Sequence, residues 1–367
     1  MKLKDDCRYF RGEKPCLYQR LCPDCPYYQP FSFRILIIKG RAQGDVLRTT
    51  PLVAAIKRAI PDSHLTWIVD EESVDLLTHN PHLDRIVTFS LEGVLSLQHQ
   101  EFDLLLSLDK EPISTALAQS VPAKEKKGFG LNRWGNLTIF NPESEYAFQL
   151  GVDDDLKFRQ NQKTYQQIIH EITGFKYQRD PYLFYLQDED SQRANQYFET
   201  HRIKPAKLNI GLNTGSGTKF LTKQWPQDHF VQLIDLLHHQ LDANVFLLGG
   251  PRETQLNRRI EKLSSSPVYN TGNNNSLREF AGFLAKMDLI VCSDTLALHL
   301  ALALKRKVVA LFGPTCPQEI DLYDSGIKLF TGVSCAPCYK QTCPEMTCMK
   351  SILPLEVFQA IKSLLES

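Results

Sequence analysis

Four stretches of the 367-residue sequence carry side chains whose type and spacing suit chemistry. GRAQGDVLRTTP (40–51) places an acid, Asp45, where a buried aliphatic run hands over to a helical pattern. NTGSGTKFLTKQWP (213–226) also joins a strand pattern to a helix pattern. Its small residues let backbone amides approach an anion, and Lys219 and Lys223 can neutralise one. LLGGPRETQ (247–255) is another strand–glycine–helix junction, with Glu253 in the first helical turn. VCSDTLALHLALAL (291–304) runs strand, acidic turn, helix, and holds Asp294 and His299. Each has a plainer reading. Asp45 and Asp294 suit helix N-caps, Glu253 suits a helix dipole, the lysines suit a solvated loop, and His299 suits packing between helix and sheet. Against these, Asp45 is a carboxylate able to take a proton from a substrate hydroxyl, and Glu253 is an acid able to reach a ribose diol. The last three junctions lie on one sheet edge and converge on one place, which no single motif achieves.

The elements that must position these residues alternate. Strand patterns at 34–40, 65–70, 85–90 and 103–109 are separated by helical patterns at 50–60 and 72–80. Uniformly apolar runs suit parallel strands buried on both faces, and the alternation implies right-handed βαβ units. Residues 120–150 read as long loops, 161–174 as a helix ending at Gly174, and the polar stretch 176–206 as a connection. A second series follows, with strands at 207–213, 244–250, 268–272, 289–294 and 308–313 and helices between them. The expected organisation is a Cys-rich segment 1–30, a Rossmann-like domain 31–175, the connection 176–206, a second Rossmann-like domain 207–332, and a Cys-rich segment with a C-terminal helix at 333–367. Ligands in such sheets bind outside the carboxyl ends of the strands, so a cleft between two facing doubly wound halves is the expected site. A dinucleotide fingerprint is missing, because GRAQGD supplies only Gly40 and Gly44, and no G-x-x-x-x-G-K-[ST] occurs.

Lys+Arg and Asp+Glu are equal at 42 each, so no basic field points to nucleic acid. KEKK (124–127) reads as solvated loop. No stretch approaches a membrane span, and MKLKDDCRYFRGEKPC lacks a signal's apolar core. The expectation is a cytoplasmic protein. Of ten cysteines, Cys292 and Cys316 suit buried positions in and after a strand. The other eight form two sets of four: Cys7, Cys16, Cys22 and Cys25, and Cys335, Cys338, Cys343 and Cys348. Each set includes a C-x₂-C pair, and in a reducing compartment four thiolates favour Zn or Fe. Unligated thiols or disulfides are the alternatives.

GDVLRTTP (44–51), together with NTGSGTKFLTKQWP, LLGGPRE, SDTLALHLALAL and KVVALFGPT in that order, resembles glycosyltransferase family 9, the ADP-heptose:lipopolysaccharide heptosyltransferases, over about 34–350. The resemblance implies a GT-B fold and inverting transfer of heptose from an ADP-heptose-type donor without a catalytic metal. It implies Asp45 as general base. Thr214, Ser216, Thr218 and Lys223 fall in the loop for the donor diphosphate, with Gly250 and Glu253 at the ribose. Asp294 matches the sugar-contacting acid, Thr295, Leu296 and Ala297 offer amides to phosphate, and His299 closes the motif. One departure is Leu296, where many members have Gly. The acceptor it implies is lipopolysaccharide inner core or another glycan, met at the inner face of the inner membrane through peripheral surface contact. Another nucleotide sugar, a protein acceptor, or an inactive metal-containing binding protein of the same fold are the competing readings.

Overall fold

The structure, a computed structural model, describes residues 3–204, 207–217 and 219–366. The chain divides into two compact units: Met1–Ala42 with Thr49–Gln149 and Ile168–Asp180, and Gln43–Arg48 with Leu150–Gln167 and Pro181–Ser367. The sequence expectation places 43–48 and 150–167 in the first domain and 181–206 in a connection. By contact all three belong to the second unit.

The first unit is built on a six-stranded sheet in the order β3-β2-β1-β4-β5-β6. Its strands are β1 (Arg34–Ile38), β2 (His64–Val69), β3 (Arg85–Thr88), β4 (Phe102–Ser107), β5 (Ala123–Leu131) and β6 (Leu137–Ile139). β1 to β5 pair in parallel, and β6 is antiparallel. The central strands carry aliphatic side chains to both faces, and Ile35 to Ile38 are wholly buried. Where β1 and β4 end side by side, Lys39 and Asp109 form a buried ion pair, and the Asp109 carboxylate also accepts from the Gly40 amide at 2.6 Å.

The expected loops over 120–150 are instead β5, β6 and a short helix, Glu145–Gln149. The charges of KEKK hid a strand near the sheet edge. There Lys124 pairs with Asp103 at 2.7 Å, while Lys126 and Lys127 donate to the carbonyls of Ala118 and Thr173. The N-terminal segment closes on itself through a bridge between Cys7 and Pro30. Tyr18 stacks on Tyr27 at 4.0 Å within it.

The second unit repeats the topology, in the order β9-β8-β7-β10-β11-β12. The strands are β7 (Asn209–Asn213), β8 (Asn244–Leu248), β9 (Tyr269–Asn270), β10 (Leu289–Ser293), β11 (Lys307–Phe312) and β12 (Gly326–Phe330). All pairs are parallel. Trp225, Phe230, Leu233 and Leu237 on one side of the sheet pack with Val357, Phe358 and Ile361 of the C-terminal helix Pro354–Glu366. The polar stretch read as a connection contains a helix, Gln192–Thr200. Asp190 before it receives Arg278 through both carboxylate oxygens, at 2.8 and 2.6 Å. Among the described residues, no helix is long and apolar enough to cross a membrane.

Candidate active site

In the second sheet the strand order reverses between β7 and β10, the switch point at which doubly wound sheets bind ligands. A pocket of about 280 Å³ lies there. Asn213 at the end of β7 and the glycines Gly215, Gly217, Gly249 and Gly250 form one side. Thr295, Leu296 and Ala297, which open the helix Leu296–Ala303, form another. That N-terminus leaves backbone amides without helical partners, a surface suited to phosphate.

Gly249 and Gly215 are needed for space. A Cβ at Gly249 would stand 2.8 Å from Glu253 Cβ, and one at Gly215 would stand 3.2 Å from its carboxyl carbon. Glu253 turns back so that its carboxylate accepts from the Gly250 amide at 2.8 Å, which holds it on the pocket wall. Leu296 replaces glycine without backbone strain. Thr295 is extended (φ −140°, ψ 176°), and the helix begins at Leu296.

The remaining wall was not foreseen. It consists of Gln43, Asn275, Ser276, Leu277 and Phe280. Ser276 caps the helix Leu277–Ala285 in a reciprocal box with Glu279, and the S-x-x-E spelling at 276–279 is the signal that would have found it. Asn275 donates to the Gly272 carbonyl at 3.2 Å, while its Oδ1 is buried without a partner among the described residues.

Beside the pocket lies a charged cluster in the same unit. Asp45 sits in the first turn of the helix Gln43–Thr49. It is inside that helix and so is not its N-cap. Its carboxylate pairs with Arg48 Nη2 at 3.0 Å. Arg48 lies 3.9 Å over the Tyr165 ring, and despite burial its nearby acids, Asp45 foremost, keep it charged. Gly44 packs so tightly on His299 that a Cβ would come within 2.7 Å of the imidazole.

Asp294 is no N-cap either, because Thr295 takes that position. Burial works against the Asp294 charge, but Lys223, His299 and Arg48 hold its carboxyl below the usual range. Lys223 Nζ stands 3.6 Å from the Asp294 carboxylate and also donates to the Asp294 carbonyl. Burial and Arg48 push His299 down to about 4, so it is neutral at pH 7. It meets Tyr182 Oη at 3.4 Å.

Thr214 and Ser216 are buried. The Thr214 hydroxyl donates to Asn257 Oδ1 at 2.5 Å and lies 3.2 Å from the Leu248 carbonyl, so it serves the loop's footing. Thr218 lies outside the described residues.

Glu319, Tyr339 and Lys157 join this cluster without any warning from sequence. Burial raises Glu319 above the usual carboxyl range, with Arg48 and Lys157 opposing. The Tyr339 hydroxyl donates to Glu319 at 3.3 Å.

The cysteines of both sets carry free thiols. Cys7, Cys16, Cys22 and Cys25 line one small cavity of about 20 Å³ together with Tyr9, Tyr18 and other residues. Burial raises the Cys348 thiol, and Cys338, Cys335 and Cys343 add to that through space. Among the described residues, however, no three His, Cys, Asp or Glu side chains are grouped so as to hold an ion. Cys292 and Cys316 are buried, and burial pushes the Cys316 thiol up to about 12.

Two doubly wound sheets, with a phosphate-suited pocket at the switch point of the second, are the architecture of the GT-B fold. The family model of glycosyltransferase family 9 (heptosyltransferase) matches residues 94–349, and the chain belongs to that family. The lipooligosaccharide heptosyltransferase 2 of Campylobacter jejuni is 23% identical, over 88% of this chain and 96% of its own. The crystal structure of a family 9 glycosyl transferase from Veillonella parvula matches 92% of this chain and 98% of its own, with a TM-score of 0.73 at 19% identity. The ADP-heptose lipopolysaccharide heptosyltransferase II of Escherichia coli matches 91% and 99%, with a TM-score of 0.66 at 17% identity.

Proposed function

We propose that this glycosyltransferase moves heptose from an ADP-heptose-type donor to a lipopolysaccharide inner-core or related glycan acceptor, with inversion and with Asp45 as general base. One observation carries the reading. The turn Gln43–Asp45 belongs to the unit that holds the pocket, with Gln43 in its wall and Gly44 against His299. A carboxylate thus stands beside a site suited to a nucleotide diphosphate.

Leu277 and Phe280 offer an apolar wall to a base, and Asn275 Oδ1, without a partner among the described residues, suits an exocyclic amine. In this reading Glu253 takes the ribose diol, and the amides of Thr295 to Ala297 with Lys223 take the diphosphate. Inverting displacement needs base and leaving group on opposite sides of the anomeric carbon. The acid then takes the acceptor proton, while lysine and amides stabilise charge growing on ADP.

Thermal-shift titration tests the donor: ADP should raise Tm more than UDP or GDP. Asn275→Ala should weaken ADP roughly 5- to 10-fold, the scale of one lost hydrogen bond, and leave UDP affinity unchanged. Equal stabilisation by all three nucleotides would argue for another nucleotide sugar. No stabilisation by any would favour a binding protein that has lost transfer. Product analysis with purified lipopolysaccharide and with protein acceptors separates the acceptor classes.

We also infer that Cys335, Cys338, Cys343 and Cys348 take one structural Zn or Fe, and that Cys7, Cys16, Cys22 and Cys25 are a second candidate set. The C-terminal gaps of two, four and four residues let a compact loop supply four thiolates, and four thiolates leave no open position for water. Elemental analysis should find about one ion per filled set, and Cys338→Ser should lower both metal content and Tm. Metal-free protein with every thiol titratable and full stability would remove the idea.

A further inference from the structure

The loop that carries the four C-terminal cysteines reaches the charged cluster beside the pocket. The backbone amides of Cys338 and Tyr339 both donate to the Pro314 carbonyl at 2.9 Å, which pins the loop just beyond β11. Tyr339 then enters the charged cluster. Its ring lies parallel to Phe158 at 5.5 Å and edge-on to Phe220 at 5.8 Å. Lys157 Nζ stands 4.0 Å over its face, and its hydroxyl reaches Glu319. The next residue makes a second link: the Thr222 hydroxyl donates to the Lys340 carbonyl at 2.6 Å. Thr222 precedes Lys223 in the single turn Leu221–Lys223. The loop therefore touches the segments that carry Lys157, Glu319 and Lys223.

We propose that the cysteine-rich loop 335–348 braces the donor site from outside the pocket, with Tyr339 as a positioning residue for Lys157 and Glu319 and the Lys340 carbonyl as the stay of the Lys223 turn. This rests on the reading of Lys223 as the cation for the donor diphosphate. A lysine stabilises a leaving diphosphate best when it is held in place beforehand. The turn Leu221–Lys223 spans only three residues, so its order depends on such outside contacts. Coupling between two sites is reciprocal: ADP at Lys223 must tighten the loop, and loosening the loop must weaken ADP.

Hydrogen exchange of the full chain, with and without ADP, reads the first arm. Peptides covering 335–348 should exchange more slowly with ADP, while those covering 7–30 should not change. The second arm compares Tyr339→Ala, which loses ring and hydroxyl, with Tyr339→Phe, which keeps the ring contacts. The alanine variant should raise the ADP Kd ~10-fold, the scale of one lost aromatic pair. Donor KM should rise with it and acceptor KM should not, and the phenylalanine variant should recover most of the loss. If ADP binds but exchange over 335–348 is unchanged, or if Tyr339→Ala binds ADP like the wild type, the proposal fails while the donor reading stands. If ADP does not bind the wild type at all, both fail. Should the alanine variant not fold, the wild-type exchange experiment still decides.

Discussion

Asp45→Asn is expected to lower transfer by ~10²- to 10⁴-fold, the usual cost of losing a general base, while the ADP Kd stays at its wild-type value. The substitution keeps the side chain's shape and an oxygen able to accept from Arg48, which now lies 3.0 Å away. On the proposed mechanism it removes the charge that takes the acceptor proton. The pocket proposed for the nucleotide is lined by Gln43 and not by Asp45, so donor affinity gives an internal control. Arg48 loses its carboxylate partner but remains over the Tyr165 ring. Since the Asp45 side chain is 36% exposed, solvent limits the cost in stability, and a fall of a few degrees in Tm is the expected side effect. Single-turnover rates with saturating donor separate the chemical step from binding. A variant that turns over near the wild-type rate would reduce Asp45 to a partner for Arg48.

Much of this arrangement was legible in the sequence where burial and strand pattern agree. β1 and β4 read correctly because parallel strands covered on both faces must be apolar throughout. Three of the pocket's corners lie at the strand–glycine–helix junctions the sequence marks, because glycines and helix starts recur at strand ends. β5 was hidden because near an edge its lysines can serve as side-chain donors while the backbone pairs. Asp45 and Asp294 looked like caps because Asp is a common cap. In the fold Asp45 lies within its helix, and Thr295 takes the cap that Asp294 seemed to occupy. Glu319 and Tyr339 gave no signal, since they lie in irregular segments with no periodicity to mark a buried face. Only the folded chain brings them to Arg48 and Lys157.

Lys223→Ala is expected to lower kcat by ~10²- to 10³-fold, comparable to removing one preorganised group that stabilises transition-state charge, and to raise donor KM with acceptor KM unchanged. Charge on the departing diphosphate grows as the anomeric bond breaks, so a cation held nearby acts more on the transition state than on the bound donor. Lys223 is held in three ways: its Nζ is 3.6 Å from Asp294, its carbonyl accepts from Ser293 Oγ at 2.7 Å, and its neighbour Thr222 is tied to Lys340. Lys223→Arg should recover part of the loss, because charge returns but the bulkier fork does not replace a compact ammonium. The same variant carries a stability signature with a definite sign. Asp294 has a depressed pKa in the folded chain, against its ordinary 3.8, with Lys223 the foremost charge opposing its burial. A depressed carboxyl contributes stability above its unfolded value and loses it as pH falls through the folded one. The Tm gap between wild type and Lys223→Ala should therefore be widest near neutral pH and should close in acid, below about pH 4. A gap that does not change with pH, or a kinetic effect confined to acceptor KM, would place the lysine outside the donor site.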